Sequence, residues 1–211
     1  MLSTHHPKTL LVGAGFSGGG SETRLRMLGR HLFGGSADVA VFNSGLDLDR
    51  LGHARVFDLN WSGKASYPGV IVRLRRVLQS GDYDAVMALG LYQNACLTAA
   101  AWGLRPRPVI LLTETTQPHT NAMDGTSAVV FRLRDVLYRA IYPRADCVAA
   151  NSMDGCQQIA NRYGVPPEHI RRIPNIVDRD YITRLARDDA EFTEHDRPPA
   201  KICMVTRLEE M

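Results

Sequence analysis

The residues of this chain best suited to chemistry by type and spacing are its glycines near the start. Gly13 to Gly18 reads G-x-G-x-x-G, and Gly19 and Gly20 follow at once. Glycines let backbone N–H groups come close to an anion, and a helix that begins there adds the positive end of its dipole. A phosphate or pyrophosphate suits such a place; a plain tight turn is the alternative. The dinucleotide fingerprint also needs an acidic residue at the end of the second strand, about 20 residues on, to bind a ribose. That position holds Asn43 and Ser44. A dinucleotide-binding Rossmann domain is therefore the weaker reading. No G-x-x-x-x-G-K-[ST] occurs, so the loop is not a Walker P-loop.

Arginines form the second group, clustered at Arg73, Arg75 and Arg76 and again at Arg132, Arg134, Arg139 and Arg144. Each cluster reads either as a solvated helix face or as a surface for anionic lipid or phosphate. The net charge of +3 is too mild to imply nucleic acid. Cys96, Cys147, Cys156 and Cys203 make no C-x-x-C pair, and no His spacing completes a zinc site, so no metal is expected. Three of them, Cys96, Cys147 and Cys203, sit in apolar surroundings as core residues would. No apolar run reaches the roughly 18 residues of a membrane span, and the first residues do not read as a signal peptide. A cytoplasmic protein is expected, and contact with an anionic membrane surface through Arg73, Arg75 and Arg76 is the alternative to a solvated helix face.

Positioning these groups requires a scaffold, and its elements alternate. Strands are predicted at Thr9–Val12, Asp38–Asn43, Ala54–Leu59, Asp84–Leu89, Val109–Thr113, Cys147–Ala150 and Ile170–Ile173. Helices are predicted at Ser21–Phe33, Pro68–Ser80 (ended by Gly81), Tyr92–Trp102, Ser127–Tyr142 and Met153–Tyr163 (stopped by Gly164). Ser152 stands where it can cap the helix at Met153 or line a cleft. The alternation implies an α/β fold with a doubly wound, mostly parallel Rossmann-like sheet, whose ligands bind beyond the carboxyl ends of the strands. Residues 179–199 are highly charged and weakly periodic. They read as a linker with some helix, before a fresh strand starts at Lys201.

Four motifs in order resemble retaining glycosyltransferases of family four. Gly18 to Leu25 is similar to the family's "GGxE" entry to the first helix. Tyr142 to Ser152 is similar to "ADxVVAxS". Tyr163 to Asp178 resembles "GVPPERIxVIPNGVD", and Ile202 to Leu208 resembles "ILFVGRL". Together they cover nearly the whole chain.

The resemblance implies the N-terminal, acceptor-side half of a GT-B fold. It gives an acceptor domain at 1–178, a linker at 179–199 and the first strand of a donor domain at 200–211. It implies transfer of a sugar from a nucleotide-sugar donor, which is substrate rather than cofactor, to a glycan or lipid-linked acceptor. Gly18, Gly19 and Gly20 would face the donor pyrophosphate, Ser152 would line the cleft, and Arg207 would pair with donor phosphate through its planar fork. In the family, the loop after the fifth strand carries a residue near the reacting sugar. Glu114 is the first candidate here and His119 the second, to steady an oxocarbenium-like sugar or orient the acceptor hydroxyl. An exposed strand-end carboxylate is the alternative for Glu114. The paired glutamates of the donor half are not found, so the 211 residues by themselves are expected to be inactive. A non-catalytic fragment or binding module is the alternative.

Overall fold

A computed structural model describes residues 7–15, 20–32, 36–43, 55–114, 128–177 and 179–188. The chain divides into two compact units, Met1–Ile176 and Val177–Met211. Seven strands of the first unit form one sheet: β1 (Thr9–Gly13), β2 (Asp38–Val41), β3 (Val56–Asp58), β4 (Ala85–Leu89), β5 (Val109–Glu114), β6 (Cys147–Ala150) and β7 (Ile170–Arg172). Every pairing is parallel, and the order is β3-β2-β1-β4-β5-β6-β7. The doubly wound sheet expected from the alternation is present. In the second unit, among the described residues, stands one helix, α6 (Arg179–Asp188). The strand predicted from Lys201 lies outside the described residues.

Strands buried on both faces read as continuous apolar runs, and successive side chains point to opposite faces. Leu10 and Val12 of β1 therefore join one core with Val86, Ala88, Ile110, Leu112 and Val148. That core includes buried residues of α2 (Tyr67–Gly81) and α3 (Leu91–Ala101). Leu11 joins the opposite core with Val39, Val41, Met87 and Leu89, against Leu25 and Leu28. Leu25 belongs to α1 (Gly20–Met27), which continues as a π-helical turn at Leu28–Leu32. The remaining helices of the first unit are α4 (Ala128–Ile141) and α5 (Met153–Tyr163).

Gly164 ends α5 in the left-handed conformation, φ 67°, as its position implied. At α2 the geometry differs. Gly81 is the last helical residue, and the left-handed cap is Asp82, φ 45°. Gly81 is a glycine because the Tyr83 ring lies against it; a Cβ there would be 1.9 Å from Tyr83 Cε2.

Tyr83 fixes the amino edge of the sheet. Its hydroxyl donates to Asp38 Oδ2 at 2.7 Å, and Arg55 Nε donates to the same oxygen at 3.1 Å. Burial alone would raise the Asp38 pKa, but the bonds from Arg55 and Tyr83 outweigh it and hold it below the usual value. A depressed carboxylate stabilises the fold above its unfolded pKa, about 3.9, and that stability is lost as pH falls through the folded value. Asp38→Asn is therefore expected to lower stability at pH 7 by about 1.5–3 kcal/mol. Urea titrations of wild type and variant should converge as pH falls through the depressed folded value, below the ordinary aspartate range; equal stability at pH 7 would refute the assignment.

Candidate functional site

The strand order reverses at β1, whose neighbours are β2 and β4. In open parallel sheets the crevice at such a reversal, beyond the carboxyl ends, is where ligands bind. Two glycine-bearing segments lie at that end: Gly13 to Gly15, which closes β1 and leads out of it, and Gly90 after β4.

Glycine serves two different purposes in these loops. At Gly13 a Cβ would lie 2.4 Å from Leu25 Cδ2, so α1 packs directly on β1. At Gly15 a Cβ would lie 2.6 Å from the Asn43 carbonyl oxygen, because the chain beyond β2 stays paired with the loop: Asn43 N donates to Ala14 O at 3.1 Å. Both are internal packing requirements. Gly20 is different. It is exposed at the N-terminus of α1, and a Cβ there would meet nothing within 4 Å. Gly18 and Gly19 lie outside the described residues.

Gly90 adopts φ 102°, closed to side chains, and opens α3. Its N–H donates to Thr113 O at 3.0 Å, and Asn94 Nδ2 donates to the same oxygen at 3.1 Å. Thr113 Oγ1 donates to Ala88 O at 2.8 Å. These bonds lock the carboxyl ends of β4 and β5 together, next to Glu114.

Glu114 is buried, only 3% exposed, so it is not the solvated strand-end carboxylate that its sequence position also allowed. Tyr142, in the 3-10 turn after α4, donates from its hydroxyl to Glu114 Oε2 at 2.7 Å. Tyr138 of α4 also hydrogen-bonds the carboxylate. Burial first, and then the Glu114 charge, raise both phenols far above their ordinary pKa, so they stay protonated and act as donors. Tyr163 completes the cluster, with ring centroids 5.1 Å from Tyr138 and 5.5 Å from Tyr142; burial pushes its phenol up to about 12.

The charge opposite Glu114 is Arg24 of α1, 5% exposed. Burial lowers its pKa, and the Glu114 charge offsets part of that. Arg24 Nη2 donates to the Ile173 carbonyl oxygen beyond β7 at 3.1 Å. Nothing in the sequence singled out Arg24, since an arginine on a first helix ordinarily faces water. The i, i+4 tyrosines Tyr138 and Tyr142 were a legible signal that the motif reading passed over.

Ser152 follows β6 in extended conformation, and its Oγ accepts from Gly155 N at 3.1 Å, the helix cap its position implied. His119 and Arg207 lie outside the described residues. On α2, Leu74 and Leu78 face the core as the pattern required. Arg73 Nη1 donates to Leu59 O at 3.0 Å, while Arg75 Nη1 donates to the carbonyls of Ala100 and Trp102 at 3.0 and 2.6 Å. Two of the three arginines thus brace neighbouring backbone. A cleft of about 740 Å³ opens beside Arg75, Asp82, Asp84 and Arg107. It sits before β4 and β5, at the edge opposite Glu114, where a doubly wound sheet offers no reversal crevice. No helix among the described residues is long and apolar enough to cross a membrane.

The sequence model of the glycosyl transferase 4-like domain matches residues 19–176. The fold matches that of Anabaena Alr3699/HepE in complex with UDP-glucose, with TM-score 0.63 and 18% identity over 87% of this chain and 50% of that one. The lipopolysaccharide outer core galactosyltransferase WaaB, in its apo form, matches with TM-score 0.61 and 17% identity, over 81% of this chain and 46% of its own. Sucrose-phosphate synthase from Thermosynechococcus elongatus gives TM-score 0.60 and 14% identity, over 80% and 48%. The chain spans about half the length of each of these proteins. At these identities the likeness is one of fold. No curated protein matches the sequence.

Proposed function

We propose a sugar-transfer role for this chain, which belongs to the glycosyl transferase 4-like domain family and has the fold of a GT-B N-terminal domain. It is the half that holds the acceptor, a glycan or lipid-linked glycan, and presents the start of α1 to the phosphates of a nucleotide sugar. The observation that carries this reading is the open start of α1. Gly13 and Gly15 are accounted for by packing, whereas Gly20 stands exposed at a helix N-terminus beside the point where the strand order reverses. That Alr3699/HepE is complexed with UDP-glucose makes a uridine nucleotide the first donor to try.

In this reading Glu114 acts by its charge. A carboxylate fed by two phenol donors and faced by a guanidinium is fixed in place, and a preorganised negative charge steadies an oxocarbenium-like sugar. Transfer with retention lets the departing phosphate take the acceptor's proton, so no strong base is needed. The anionic membrane surface enters as a further part of the reading. Arg76 is exposed and Arg73 half-engaged on the outer side of α2, a place where each cation adds about 1 kcal/mol near a charged bilayer.

The test is a titration of the 15N-labelled chain with UDP-glucose and UDP. Amide shifts are expected at Gly13 to Gly15, Gly20 and Gly90. Shifts confined to the cleft around Asp82 and Arg107, or none at all, would remove the basis for the proposal.

A further inference from the structure

Among the described residues, Arg24 has a feature that packing leaves unexplained. The residue is 5% exposed, and its Nε and Nη1 are buried with no hydrogen-bond partner. Only Nη2 is engaged, by the Ile173 carbonyl. Buried polar groups are hydrogen-bonded in the great majority of cases, and an orphaned charged donor is among the costlier exceptions. The obvious internal partner, Glu114, accepts from Tyr142 and Tyr138 and makes no hydrogen bond to these two nitrogens. Glu114 therefore supplies counter-charge to Arg24 without using up its N–H fork. Leu25, the next residue, packs under β1, which keeps α1 from rotating Arg24 out to water. The guanidinium is thus fixed by Ile173 at one end and carries buried, unused donors at the other, near the Glu114 carboxylate at the carboxyl end of β5.

A planar fork of N–H donors matches the paired oxygens of a phosphate or carboxylate. We propose that Arg24 is a binding residue for an oxyanion carried by the substrate, gripped by the Nε and Nη1 hydrogens that the chain itself leaves unused. The inference rests on the reading of this edge as the sugar-transfer site and specifies the chemistry one of its substrates must carry. The oxyanion belongs either to the donor's phosphates or to an acidic group on the acceptor, and the same contact serves both.

The Arg24 Nε–Hε resonance, followed in the unmodified 15N-labelled protein, reports the contact directly. The probes are inorganic phosphate, UDP against uridine, and glucose 6-phosphate, which is no fragment of a nucleotide sugar, against glucose. Inorganic phosphate is expected to move the resonance, and at lower concentration so is UDP or glucose 6-phosphate; uridine and glucose are not. A response to UDP puts the oxyanion on the donor, and a response to glucose 6-phosphate puts it on the acceptor. Arg24→Gln should weaken the responding anion by at least about tenfold, with Arg24→Lys, which keeps the charge but not the fork, recovering only part. An Arg24 resonance unmoved by all three anions overturns the inference, even where an Arg24 variant folds poorly. If UDP then still shifts the amides of Gly13 to Gly15 and Gly20, the sugar-transfer reading survives without it. Should those amides also stay still, the reading itself has failed.

Discussion

Glu114→Ala is expected to destabilise the fold by about 3–5 kcal/mol, the cost of removing one member of a buried set of charges. The loss has two parts. The Tyr142 and Tyr138 hydroxyls lose an acceptor in a place closed to water, and Arg24 loses the negative charge that offsets its burial. Glu114→Gln, which keeps the shape and an acceptor oxygen, should cost about 1–3 kcal/mol. Tyr142→Phe removes one donor only and should cost about 1 kcal/mol. Because Glu114 and Tyr142 are in direct contact, the double variant should cost less than the two singles added together. Urea unfolding of these four variants beside wild type measures each term. A loss under about 1 kcal/mol for Glu114→Ala would mean that the carboxylate is solvated, and the fixed charge assigned to it would have no basis.

Gly15→Ala is expected to cost about 1–3 kcal/mol, although it adds a single methyl. The atom it would strike is the Asn43 carbonyl oxygen, 2.6 Å away. That oxygen is backbone, and the pairing of Asn43 N with Ala14 O holds it there. The strain can be relieved only by parting the loop after β1 from the chain after β2. The same methyl at Gly20 meets nothing, so Gly20→Ala should leave stability within about 0.5 kcal/mol while weakening UDP binding. Thermal unfolding and a UDP titration of both variants separate the two effects. If Gly20→Ala were the more destabilising, or Gly15→Ala the less harmful to the fold, the division of these glycines into packing and ligand-facing positions would be wrong.

Much of the scaffold was legible because its signals are local. Strands such as Thr-Leu-Leu-Val after Lys8 read as buried on both faces, and α5 begins and ends where Ser152 and Gly164 say it should. Other positions had two physical explanations that sequence cannot separate. Gly81 reads as a helix stop, but its glycine makes room for Tyr83 while Asp82 takes the left-handed turn. Arg73 and Arg75 read as a free basic face, but each reaches a carbonyl on another segment. Glu114 was read at the end of β5 with its burial unread, because the groups around it come from α1, from α4 and from the turn after α4.

By itself, the sequence determined the order and type of the elements and the parallel sheet they build. Those follow from apolar period, caps and turn residues within a few positions of one another. Only the tertiary structure decided which charges are buried and which donors are used. Those depend on segments far apart in the chain, as Arg24 is from Ile173 and Glu114 is from Tyr142. A hydrogen bond satisfied across such a distance leaves no pattern along the sequence, because its partner is set by how helices seat on the sheet.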